Sequence, residues 1–123
     1  MTIRGVRGAI TVSVDEPDLI LKATRELLDA ILKANAGMDP EDIASVFFTV
    51  TDDLVSTFPA QGARQMGWGL VTMVCAREIP VPDSLPHVIR VLVHWNTDRP
   101  QSAITHVYLR EAVKLRPDLI GAQ

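Results

Sequence analysis

Nine of the twelve basic residues in the chain are arginines, and several stand in short motifs far apart in sequence. Arg4 and Arg7 lie in R-G-V-R-G, Arg77 in C-A-R-E, Arg90 inside an apolar run and Arg116 in L-R-P-D-L. A guanidinium is always charged and presents a planar fork of donors that fits a carboxylate. The chemistry such a set suits is the binding of a small anion. A net charge of −3 and a pI near 5.5 argue against nucleic acid, because affinity for a phosphate backbone rests on a net basic surface.

Arg90 carries the most information. A charge in the middle of a hydrophobic strand costs several kcal/mol if it is buried unpaired. It must therefore meet a carboxylate, a ligand or solvent, and Glu78 and Glu111 are the candidate ion-pair partners. Cys75 and Glu78 stand three apart, just after a strand. A nucleophilic reading would couple Cys75 to His87, His94 or His106, but no spacing supports it, and a lone cysteine commonly packs as a small hydrophobe. Glu78 is open as a general base, a hydrogen-bond acceptor or a solvated side chain. Tyr108 offers a phenol suited to a carboxylate, or else packs as an ordinary aromatic. Arg7, between Val6 and Gly8, has the backbone room expected where a ligand approaches closely, or is simply a solvated strand arginine.

These side chains need a scaffold. Residues 3–14 mix β-branched residues with Gly5 and Gly8 and read as a strand in which glycine marks a bulge or close approach. Asp15 as N-cap, Pro17 in the first turn and Leu19, Ile20, Ala23, Leu27, Ile31 and Ala34 at helical spacing predict a long amphipathic helix over 17–35, closed by Gly37. Asp39-Pro40-Glu41-Asp42 starts a short helix; 45–51 and 70–74 read as strands, with a loop and short helical piece over 57–64 between them. The run 87–95 is the strongest strand, with Ile89, Val91, Val93 and Trp95 on one face and Arg90, Leu92 and His94 on the other. A short strand over 106–109, with His106 and Tyr108 on one side, precedes a helical turn and tail over 112–119. This order predicts an α+β fold: one mixed sheet of about five strands covered by one long helix.

At 123 residues the chain fits one domain, 1–123, with a flexible tail expected over 119–123. A hydrophobic fraction of 47% is high for this size, so the apolar excess either forms a dense core or lies between subunits. No apolar run approaches the roughly 20 residues of a membrane span, and the N-terminal residues lack the apolar stretch of a secretory signal. A single cysteine excludes an internal disulfide and fits a reducing, cytoplasmic setting. Three scattered histidines without metal-ligand spacing point to no metal site.

Taken together, R-G-V-R-G-A-I-T-V at 4–12, F-P-A at 58–60 followed by Arg64, G-W at 67–68, C-A-R-E at 75–78, I-R-V at 89–91, T-D-x-P at 97–100 and H-V-Y-L-R-E-A-V-K-L-R-P-D-L at 106–119 resemble the monofunctional chorismate mutases of the AroH class. The resemblance implies a homotrimer forming a pseudo-α/β barrel, with a site in each cleft between neighbouring subunits. It implies that Arg90, Glu78 and Cys75 act on the reaction. Arg7, Val74, Cys75, Ala76, Arg77, Glu78, Arg90 and Tyr108 would bind substrate, and Phe58, Ala60, Gln61, Arg64, Leu115 and Arg116 would form the cleft rim. Gln61 stands where the family carries lysine, and Met73 and Val74 replace a smaller or more polar pair.

The reaction implied is the intramolecular Claisen rearrangement of chorismate to prephenate, in which a C–O bond breaks as a C–C bond forms. It requires no nucleophile, metal, cofactor or proton transfer. An enzyme for it has to hold the diaxial conformer and stabilise negative charge growing on the ether oxygen. Two alternatives compete: an enamine or imine deaminase of the RidA type, which is also a small trimer with an arginine in its cleft, and a non-catalytic carboxylate-binding trimer. L-R-P-D-L and C-A-R-E argue against the first, whereas Gln61 mildly favours the second.

Overall fold

The computed structural model describes residues 2–116. Pro117, Asp118 and Leu119 of the C-terminal motif and the expected tail over 119–123 lie outside the described residues. Five strands, β1 (Ile3–Thr11), β2 (Ile43–Val50), β3 (Thr72–Arg77), β4 (Val88–Asn96) and β5 (Val107–Leu109), form one sheet in the order β3-β2-β4-β1-β5. β4 runs antiparallel to both β1 and β2, while β3 and β5 join the outer sides of β2 and β1 in parallel. The sheet is thus mixed, as the element order predicted.

One long helix, α1 (Pro17–Ala34), covers one face of this sheet. Its stripe of Ile20, Ala23, Leu27, Leu28 and Ile31 is fully buried against Val6, Ile10, Phe48, Val91, Val93 and Trp95. The alternation expected of β4 is present: Ile89, Val91, Val93 and Trp95 are buried under the helix, and Arg90, Leu92 and His94 are half-buried on the opposite face. Gly8 is where the helix comes closest. A Cβ there would stand 2.8 Å from Ile31 Cδ1, 3.1 Å from Leu27 Cδ1 and 3.2 Å from the Val107 carbonyl, so this strand glycine marks a close approach.

The helix ends depart from the sequence reading. Glu16, extended at φ −144°, is the N-cap and makes no side-chain capping bond. Asp15 instead accepts the backbone N–H groups of Val55 and Ser56, both at 3.1 Å, and ties the 51–58 loop to the start of α1. A missing cap costs about 1 kcal/mol, whereas each large apolar side chain on the buried stripe contributes about 1.5–3 kcal/mol. Packing therefore decides that the helix forms. At the other end the C-cap is Asn35, with Gly37 two residues beyond it at φ +88°. The Asn35 amide donates to the carbonyls of Ile31 and Thr105 at 3.0 Å, and its oxygen accepts Thr105 N–H at 2.9 Å.

A second short helix, α2 (Ala60–Gln65), packs beside α1 where Gly62 lets the two backbones meet. After β5 the chain turns at Arg110, held at φ +55°, into a 3-10 helix over Arg110–Leu115. The Arg110 guanidinium donates to the Thr11 carbonyl at 3.0 Å and pairs with Glu26 at 2.9 Å, offsetting the strain of that left-handed residue. The turn lays Ala112 and Leu115 over the sheet face that α1 leaves open, where they cluster with Ala9, Val88, Leu85 and Tyr108.

Candidate active site

The open face of the sheet is organised in rows, because register partners on neighbouring strands share a face about 4.8 Å apart. One row runs Tyr108, Ala9, Arg90, Thr49, Ala76 across all five strands. The next, two residues along, contains Arg7, Leu92, Phe47 and Val74. Ala9 is the small member between Tyr108 and Arg90, and the space it leaves opens into a cavity. That cavity has a volume of about 360 Å³ and is lined by Arg7, Gly8, Ala9, Phe47, Thr49, Glu78, Arg90, Val91, Leu92, Tyr108 and Leu115. Its size and its mostly apolar wall with a few convergent polar groups suit a small molecule.

Arg90 enters the cavity from the middle of β4. Its Nη1 lies 3.5 Å from Glu78 Oε1, and the two side chains are 25% and 23% exposed. Of the two expected partners, Glu78 is the one engaged; Glu111 pairs instead with Lys114 at 3.3 Å. Glu78 lies just past the end of β3, where its N–H donates to the Val50 carbonyl at 2.9 Å, and its second oxygen accepts the Thr49 hydroxyl. The Arg90 cation is thus desolvated on one side, matched by a carboxylate, and held at the cavity wall.

Arg7 and Tyr108 stand on the β1–β5 side. The Arg7 backbone N–H donates to His106 Nδ1 at 2.9 Å, which continues the β1–β5 ladder one residue past the last strand pair. Burial, followed by the positive charge of Arg7, holds His106 below its ordinary value of 6.5. The imidazole is thereby kept in the neutral form that this acceptor role demands.

Sequence reasoning named fourteen site positions, and one chain brings only some of them together. Arg7, Glu78, Arg90, Tyr108 and Leu115 line the cavity. Val74 and Ala76 face the same side but stand on β3, at the edge of the sheet, beyond Phe47 and Thr49. Cys75 points the other way, half-buried against the hydrophobic core. Cys75, Ala76 and Arg77 line a separate depression of about 410 Å³ with Phe58, which is 70% exposed. Arg77 pairs with Asp52 at 3.2 Å. On α2, Ala60 is buried while Gln61 and Arg64 are exposed. Arg116, the last described residue, is half-buried.

The arrangement gives the nucleophile reading of Cys75 no partner among the histidines. His87 engages the Val12 carbonyl at 3.0 Å, His94 the Ser45 hydroxyl at 2.9 Å, and His106 the Arg7 amide. Sequence reasoning missed Thr49 and the His106 bond. Thr49 alternates with Val46 and Phe48 in a β-rich run, but only the cross-strand register with Arg90 shows what it stands beside. Among the described residues no group of histidine, cysteine and carboxylate side chains could hold a metal ion. No helix there is long and apolar enough to cross a membrane. What remains is a cavity with a paired arginine, a second arginine and a phenol, equipped to grip a carboxylated molecule and to stabilise charge within it.

Comparison with known proteins agrees with that chemistry. A family described as chorismate mutase type I matches residues 3–119. The chain is 60% identical over 121 residues to the chorismate mutase AroH of Thermus thermophilus, covering 98% of this chain and 99% of that one. It is 43% identical over 120 residues to chorismate mutase AroH of Bacillus subtilis (strain 168), covering 97% and 94%. The solved chorismate mutase from Clostridium thermocellum superposes with a TM-score of 0.89 at 46% identity, covering 91% of this chain and 99% of that structure.

Proposed function

The chain belongs to the type I chorismate mutase family, and from that premise we propose how its cavity works on its substrate. It is an isomerase that converts chorismate to prephenate, a step of aromatic amino acid biosynthesis. Within this family the deaminase and non-catalytic alternatives lose their support.

The observation that carries the mechanism is the Arg90–Glu78 pair at the wall of a cavity that also holds Arg7 and Tyr108. In the rearrangement the ether C–O bond breaks and a C–C bond forms within one molecule, so no atom is exchanged with the protein. The Arg90 guanidinium donates to the ether oxygen as it becomes negative, and to a nearby carboxylate. Arg7 and Tyr108 grip the carboxylate of the enolpyruvyl arm and hold it over the ring. Glu78 accepts the ring hydroxyl and keeps Arg90 aimed. The Cys75 side chain faces the core, so the contribution expected of it around that hydroxyl falls to Glu78.

The remaining expected groups call for a second subunit. Phe58, Ala60, Gln61 and Arg64 lie on the α2 and β3 side of the chain, away from the cavity beside β5, and Val74, Ile79 and Phe47 expose apolar surface on or next to that edge. We propose a homotrimer in which the α2–β3 side of one subunit closes the cavity of the next, with Leu115 and Arg116 at the same rim. Residues 1–123 make one domain in this reading, and the lone cysteine suits a cytoplasmic enzyme.

Purified protein mixed with chorismate should remove the diene absorbance, and Arg90→Ala should lower kcat/KM by about a hundred- to a thousandfold, the usual effect of deleting a preorganised donor. An inert wild type, or an Arg90→Ala variant as active as wild type, overturns the reading.

A further inference from the structure

We propose that the Thr49 hydroxyl is a positioning group for this reaction: it fixes one oxygen of Glu78 and so leaves the other aimed at Arg90. The inference rests on the chorismate mutase reading above and deepens it.

Thr49 stands directly across from Arg90 in the β2–β4 register, on the same face, and lines the same cavity. Its hydroxyl donates to Glu78 Oε2, while Glu78 Oε1 lies 3.5 Å from Arg90 Nη1. The three groups form a chain from hydroxyl to carboxylate to guanidinium. Glu78 needs such a tether. It lies one residue past β3, its backbone anchored by one N–H bond to Val50, and its side chain has three rotatable bonds to order. A threonine on a strand is stiff about χ1, which makes its hydroxyl a fixed donor. Release of Oε2 leaves the carboxylate free to rotate away from Arg90, and the Arg90 fork loses its reference point. Thr49 touches none of the reacting atoms in this account; it acts through Glu78.

The test uses Thr49→Val, which keeps shape and β-branching but removes the donor, and Thr49→Ser, which keeps the donor. Both are measured alone and in a Glu78→Ala background by initial rates of chorismate loss, with thermal unfolding followed in parallel. Thr49→Val should lower kcat by about ten- to a hundredfold, the range for a hydrogen bond to a charged group, with a smaller change in KM. Thr49→Ser should recover most of the loss, and the effect of Thr49→Val should vanish once Glu78 is gone. Thr49→Ala replaces the valine variant if the latter fails to fold. A folded Thr49→Val enzyme with wild-type kcat, an equal loss in the serine variant, or an undiminished loss in the Glu78→Ala background overturns the positioning role alone. A wild-type protein that leaves chorismate unchanged overturns the active-site reading itself.

Discussion

At the residue scale the site is an exercise in placing cations without spending stability on them. Arg90 would cost several kcal/mol if left unpaired in its half-buried place, and the Glu78 carboxylate offsets that cost while keeping the guanidinium directed into the cavity. Cys75, whose side chain packs toward the core, should tolerate Cys75→Ser with substantial activity retained; abolished turnover in a folded variant would revive the nucleophile. Because no proton is exchanged with the substrate, the pH–rate profile should be flat around neutrality. Acid should matter through His106. Burial first and the Arg7 charge second lower its titration below 6.5, so the folded protein holds that proton less tightly than the unfolded chain. Stability should therefore be complete above 6.5, decline as pH falls from 6.5 toward the folded value, and level off below it. Urea midpoints across that window should drop in wild type and drop less in His106→Gln, with KM rising as the Arg7 amide loses its acceptor. Identical slopes in the two proteins would contradict this.

At the element scale the β1–β5 pairing brings Arg7 and Tyr108 to one cavity, and α1 packs closely beneath that pairing at Gly8. Gly8→Val would push a Cβ against Ile31, Leu27 and the Val107 carbonyl and add two methyl groups beyond it, and should destabilise the fold by about 1–3 kcal/mol in chemical denaturation. A variant as stable as wild type would mean that α1 shifts without cost. Asp15 sets the loop that leads to Phe58. Its carboxyl is held below the ordinary 3.8 by the Ser56 hydroxyl foremost, with the amides of Ser56 and Val55 adding to it against the opposing effect of desolvation. That contribution is present above 3.8 and is lost as pH falls through the folded value, so Asp15→Asn should flatten the acid limb of the stability curve. An acid limb as steep as wild type's would show that the loop is not held by that charge. The elements themselves were legible wherever periodicity was strong. The α1 stripe and the two faces of β4 could be read directly, because burial on one side imposes periods of 3.6 and 2. What could not be read was chemistry that depends on partners distant in sequence. Asp15 resembles an N-cap locally, yet the N–H groups that donate to it lie about forty residues away, and the left-handed turn at Arg110 falls on a residue type that carries no turn signal.

At the scale of the whole molecule, the sheet order determines which residues can meet. Tyr108, Ala9, Arg90 and Thr49 come from four strands and share one row only because β4 lies between β1 and β2. The sequence announces Arg90 as a charge in an apolar strand, but not that Ala9 leaves the space beside it or that Thr49 stands opposite. The division of the expected site between two sides of one chain gives the proposed trimer a sharp test. Arg90→Ala and Arg64→Ala subunits, each impaired alone, should recover activity when refolded together, since about a quarter of the clefts in randomly mixed trimers would be built from two intact halves. No recovery from co-refolded trimers would mean that both groups serve the same subunit's site. In the proposed mechanism, sheet and helix hold one planar, doubly donating cation where an ether oxygen becomes negative. The steady-state rate of Arg90→Lys on chorismate tests that most directly. The charge is kept and the fork is lost, so kcat/KM should fall at least about a hundredfold while the protein stays folded, and near-normal turnover would contradict the account.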